Sequence, residues 1–98
     1  MSAISNLKPP KDIRMEIAER FREVRLDQNI TQEALAKRTG VSLGSLRRFE
    51  SEGEISLKNL VNLAIGLNRA QDFDDVFKLG SRIDLFALPT KTRKRASR

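Results

Sequence analysis

The sequence predicts an all-α protein: a compact bundle of about five short helices ending in a flexible basic arm. Three observations carry that expectation. A small pattern recurs at Ile30-Thr31 with Leu35, Val41-Ser42 with Leu46, and Ile55-Ser56 with Leu60. In each case an apolar residue precedes a hydroxyl residue, and a second apolar residue follows four positions after the hydroxyl. That is the hydrophobic staple around an N-cap, so the pattern marks three helix starts. Second, nothing before residue 80 alternates like a strand ladder. Third, the charge is segregated along the chain, with an uninterrupted basic run at its end.

The elements follow in order. Lys8-Pro9-Pro10-Lys11 marks a boundary, because each proline removes a backbone donor and restricts the residue before it. Residues 1–10 are therefore expected to be a flexible N-terminus. Asp12 is a fair N-cap for a first helix over 12–28, with Ile17, Phe21 and Val24 as its apolar stripe. Asn29 stands where a helix end needs a left-handed residue. The three staples place helices at 31–38, 42–50 and 56–66. Gly40, in the three residues between the first two of these, permits a sharp turn. A last short helix is expected over 69–78, capped by Asn68, with Phe73, Val76 and Phe77 on one face. Leu35, Leu46, Phe49 and Ile17 are the expected core. The folded domain thus spans 11–79. Ile83-Asp84-Leu85-Phe86-Ala87-Leu88, within 80–89, suits a short strand, a docking segment or a dimer contact. Residues 90–98 form a basic, disordered tail.

Composition narrows the function. The chain of 98 residues has no cysteine, histidine, tryptophan or tyrosine. Disulfides and thiolate metal sites are excluded, and so are the usual general base near neutral pH and the commonest metal ligand. No cluster of carboxylates or lysines replaces them. No catalytic residue, metal site, cofactor or small-molecule pocket is expected, and the chain reads as a binding protein rather than an enzyme. No apolar run approaches the roughly 18 residues of a membrane span. MSAISNLKPP lacks the features of a secretory signal. A cytoplasmic protein, at the nucleoid when bound to DNA, is the expectation.

The net charge is +6, but its distribution matters more. Lys91, Arg93, Lys94, Arg95 and Arg98 put +5 on the tail, leaving +1 on residues 1–89. Within these, residues 8–48 carry +4 and residues 49–89 carry −3. A basic front half and a basic arm point to nucleic acid.

The stretch GVSLGSLRRFE, residues 40–50, sharpens that reading. Two helices joined by a short glycine-containing turn make a helix-turn-helix, whose second helix lays its first residues on base edges in the major groove. Gly44 and Ser45 keep the tip of that helix small. Arg47 and Arg48 follow about one turn later, and an arginine fork can bond both acceptors of guanine. Leu43 either meets a thymine methyl group or packs under Val41.

Residues 17–67, and above all ITQEALAKRTGVSLGSLRRFE, resemble the lambda-repressor-like, XRE-type helix-turn-helix family. The resemblance implies that Gln32 contacts phosphate and that Leu43, Gly44 and Arg48 occupy base-reading places. It also implies that Arg25 and Glu50 tie the first helix to the third. Arg25, Thr31, Gln32 and Ser42 are taken as the phosphate contacts, and Leu43, Gly44, Ser45, Arg47 and Arg48 as the base readers. Because Leu43 and Gly44 donate no side-chain hydrogen bonds, readout must rest on Ser45, Arg47, Arg48 and DNA shape. The loop Ser51-Glu52-Gly53-Glu54-Ile55 also departs from the family: its glutamates would repel phosphate where basic or amide residues are usual.

VSLGSLRRFESEGEISL with the following FDDVF segment is similar to HipB-type antitoxins, repressors that pair with HipA-type kinase toxins. The implied partners are an operator, typically an inverted repeat in double-stranded DNA, a second copy of the chain, and a kinase-like toxin. The alternative is a nonspecific nucleic-acid binder, or a purely protein-interacting module, driven by the basic tail.

Overall fold

In a computed structural model that describes residues 7–80, the chain folds into four α-helices and one short 3-10 helix. They are α1 (Pro10–Asp27), α2 (Gln32–Thr39), α3 (Leu43–Glu52), α4 (Leu57–Gly66) and the 3-10 turn Ala70–Phe73. No strand occurs among the described residues. The 80–89 segment beyond Gly80 and the basic arm with Lys91, Arg93, Lys94, Arg95 and Arg98 lie outside them.

The three hydroxyl residues cap the three helices they introduce. Thr31 accepts from the Ala34 amide at 3.0 Å, Ser42 from the Ser45 amide at 3.1 Å and Ser56 from the Asn59 amide at 3.0 Å. Each cap satisfies one of the amides that a helix start leaves unpaired, worth about 1 kcal/mol. The flanking apolar residues fix the entry angle. Leu35, Val41 and Leu46 are buried, and Ile30, Ile55 and Leu60 pack against them. Gly40 closes α2 at φ +80°, and Thr39 Oγ1 accepts from the Val41 amide at 3.2 Å, so the chain reverses at once into α3.

The core lies where α1 meets α3 and where α2 meets both α3 and α4. Leu35, Leu46 and Leu63 are fully buried, with Phe49 and Leu67 almost so. Each such side chain contributes about 1.5–3 kcal/mol. Phe21 meets Phe49 edge-to-face, ring centres 5.2 Å apart. At the far end, Gln28 Nε2, just past α1, donates to the carbonyl of Leu67, just past α4, at 2.9 Å, joining the ends of the two helices.

Three expectations are corrected. The first helix begins at Pro10 with Pro9 as N-cap, and Asp12 falls in the first turn. Proline needs no amide partner and has its φ preset, so it enters a helix at its first position. Ile17 is 39 % exposed and not core. Phe21 and Val24 of the expected stripe do pack on the core, and the buried positions beside them on α1 are Ala18 and Arg25. Finally, no fifth α-helix spans 69–78. Asn68 adopts φ +62° and turns the chain out of α4 rather than capping a new helix, and only a 3-10 turn forms before Phe77 also goes left-handed at φ +58°. Aspartate is a poor helix former, and the three in this segment include Asp72 and Asp75, which pair with Arg69 and Lys78. Val76 and Phe77 are exposed, so there is no apolar face to hold so short a helix.

Candidate nucleic-acid interface

α3 is buried on the side of Leu46 and Phe49. At 100° per residue the opposite side carries Gly44, Arg48 and Ser51, all exposed, with Arg47 beside them. Gly44 has nothing within 4 Å of where a Cβ would stand, so the helix presents a bare, open tip. Leu43 is only half exposed and packs on the core, which is the packing alternative of its two readings.

Ser42 uses both halves of its hydroxyl. Its oxygen accepts from the Ser45 amide while its hydrogen goes to Ser45 Oγ at 2.9 Å. The donor that reaches outward is therefore the hydroxyl of Ser45, and an anion at this end would meet backbone amides and the helix dipole. Thr31 stands at the equivalent place on α2, exposed, with its oxygen engaged in the cap.

Behind this face lies a closed polar knot. Arg25 is 5 % exposed and donates Nε to Glu50 Oε2 at 2.7 Å and Nη2 to Glu50 Oε1 at 2.8 Å. Its Nη1 donates to the Ile30 carbonyl at 2.9 Å. Gln32 Nε2 adds a third bond to Glu50, at 3.0 Å. The hydrogen bonds to Glu50 push the Arg25 pKa above its ordinary value, outweighing burial, which acts the other way. Because the folded pKa is raised, the guanidinium keeps its charge throughout the ordinary pH range. That charge is lost only as pH climbs into the strongly alkaline range where arginine titrates.

That knot removes Arg25 from the set of phosphate contacts: a buried guanidinium with every nitrogen engaged has nothing to offer DNA. Gln32 keeps one amide hydrogen and is partly buried, so it stays at the edge of the face, oriented by Glu50.

The exposed arginines are held as well. Arg47 Nη2 donates to Glu33 of α2 at 3.2 Å. Arg48 donates Nε to Glu52 at 3.3 Å and Nη2 to Glu54. Reading the sequence for DNA contacts passed over Glu33 and a place for Ser51 on this face, and took Glu52 and Glu54 only as repulsive to phosphate. Ser51 was available from helical spacing, three after Arg48, and so was the Arg48–Glu52 pair at i, i+4. The Arg47–Glu33 pair, 14 residues apart, needs the fold.

Residues 21–70 match the family model described as helix-turn-helix, just over half of the 98-residue chain. The protein belongs to the helix-turn-helix family, in its XRE-type branch, and is a DNA-binding transcription regulator. No curated protein matches the chain. No described helix is long and apolar enough to cross a membrane.

Proposed function

We propose that the protein is a sequence-specific repressor that binds an inverted repeat as a homodimer, laying α3 in the major groove. The observation that carries this reading is the exposed line Gly44, Arg48 and Ser51 opposite the buried Leu46 and Phe49. A small tip lets the helix approach the bases closely. Arg48 is then within reach of guanine, Ser45 offers a hydroxyl, and Thr31, Gln32 and Ser42 lie at helix starts suited to the phosphates on either side. One α3 spans few base pairs, so two copies about one helical turn apart would supply the missing selectivity.

The likeness to HipB-type antitoxins extends the proposal to a partner, a HipA-type kinase toxin whose operon the protein would repress. Val76, Phe77 and Leu79 support a protein contact in this region: Phe77 and Leu79 are each 97 % exposed. Co-expression with a kinase-like neighbour gene, followed by gel filtration, tests this extension. Elution as a complex supports it, and separate elution removes it.

The DNA reading is tested by selecting binders from a random-sequence duplex pool and titrating the winner against a shuffled duplex, with and without residues 90–98. A preference of about a thousandfold or more, kept after the tail is removed, is expected. Affinity that vanishes with the tail and shows no preference would instead establish a nonspecific binder driven by the basic arm.

A further inference from the structure

We infer that Glu33, Glu52 and Glu54 are specificity determinants: they hold Arg47 and Arg48 away from arbitrary phosphates and so weaken indiscriminate binding more than binding to a guanine-containing site. The inference rests on the DNA-reading role proposed for α3.

Every arginine on the exposed side of α3 is matched by at least one carboxylate. Arg47 pairs with Glu33, and Arg48 sits between Glu52 and Glu54. Two cations and three anions leave this patch at −1, although the front half of the chain is basic. The backbone that carries the carboxylates beside Arg48 is anchored. Gly53, between them, is buried at φ +72° against α1, where a Cβ would lie 2.9 Å from Arg14 Cβ. Ile55, on the other side of Glu54, packs on the core. The loop therefore cannot swing clear of the helix when DNA approaches.

The two kinds of DNA contact respond differently to such carboxylates. To bind a phosphate, Arg48 must exchange one anion for another and leave two glutamates facing a polyanion, so little is gained. Guanine is neutral. Arg48 has Nε on Glu52 and one Nη2 hydrogen on Glu54, which leaves both Nη1 hydrogens and one on Nη2 to meet N7 and O6. The glutamates stay in contact and aim the fork. The same carboxylates thus oppose one mode and accommodate the other.

The test uses the full chain, a duplex selected by the wild-type protein from a random pool, and its shuffled counterpart. Glu52→Gln/Glu54→Gln and Glu33→Gln keep the side-chain shape and remove the charge. For the double variant, affinity for shuffled DNA should rise about tenfold at low salt and that for selected DNA about threefold or less, because exposed pairs are screened. The log–log salt slope on shuffled DNA should steepen by about 0.9, the mark of one new phosphate contact. In an Arg48→Ala background the Glu52/Glu54 replacements should leave the ratio of the two affinities unchanged. Equal gains on both duplexes, or none, would overturn the inference while leaving DNA reading intact. If the wild-type protein selects no sequence at all, both fall together.

Discussion

The Arg25–Glu50 pair and the pairs of Arg47 and Arg48 are made from the same two side-chain types, yet they do opposite work. Arg25 and Glu50 have side chains 6 % and 4 % exposed, meet through two parallel hydrogen bonds, and have further partners in Ile30 and Gln32. Arg47 and Arg48 are 57 % and 61 % exposed and are held by carboxylates at least as accessible as 44 %. In the first place water is excluded, so the charges depend on each other. In the second, water and salt compete, so the bonds are weak enough to be exchanged for a ligand. Burial, not residue type, separates the arginine that builds the domain from the arginines that serve its surface.

The largest expected effect comes from breaking the buried pair. Arg25→Ala leaves the enclosed Glu50 with Gln32 and the exposed Arg22, 3.9 Å away, and should destabilise the fold by about 3–5 kcal/mol in urea titration. Replacing both partners, Arg25→Met with Glu50→Leu, should cost much less, because no charge is then stranded. Melting of Arg25→Ala at the wild-type temperature would break the comparison at its root.

This contrast also marks how far the sequence could be read. The helix starts at Thr31, Ser42 and Ser56 were legible because capping is local chemistry: the donor, the acceptor and the staple all lie within a few residues. The family resemblance linked Arg25 to Glu50, but the separate assignment of Arg25 to phosphate ignored the fact that one buried guanidinium cannot face both ways. Within the expected stripe of α1, Phe21 and Val24 pack on the core and Ile17 does not, for a different reason. Ile17 and Ala18 adjoin on α1, and hydrophobicity favoured the larger residue, whereas close approach of α1 to the core favoured the smaller. The segment 69–78 has apolar residues at helical spacing, but no neighbouring surface covers Val76 and Phe77. Tertiary cover, which decides whether eight or ten residues stay helical, is not written in the segment itself. On the site, the glutamates looked merely repulsive until the fold showed which guanidinium each one holds.

A second prediction sharpens the exposed side of the comparison. Arg48→Ala should leave stability within about 0.5 kcal/mol of wild type, as expected for a solvent-exposed residue. On the selected duplex it should lose about 1–3 kcal/mol of discrimination at the base it reads. Arg48→Lys retains the charge but not the fork, and should recover affinity for shuffled DNA without recovering discrimination. If Arg48→Lys discriminates as well as wild type, Arg48 acts through charge alone and its orientation by Glu52 and Glu54 has no consequence.

The smallest effect is the coupling between Arg47 and Glu33, and it is the most direct measure of how far the two kinds of pair differ. A double-mutant cycle with Arg47→Ala and Glu33→Ala should return about 0.2–1 kcal/mol in dilute buffer. That coupling should fade towards zero at about 1 M salt, where the screening length drops to about 3 Å, close to the separation of the charges themselves. The cycle for Arg25 and Glu50 should hardly respond to the same salt, since ions do not enter the space between those groups. Helix-to-helix geometry predicts the direction of any failure. Glu33 lies in the first turn of α2, where the helix dipole favours its charge without help from Arg47. A coupling near zero at all salt concentrations would therefore mean that Glu33 keeps its place without Arg47. Arg47 would then be free to leave for DNA at no cost, and the restraint on α3 would reside in Glu52 and Glu54 alone.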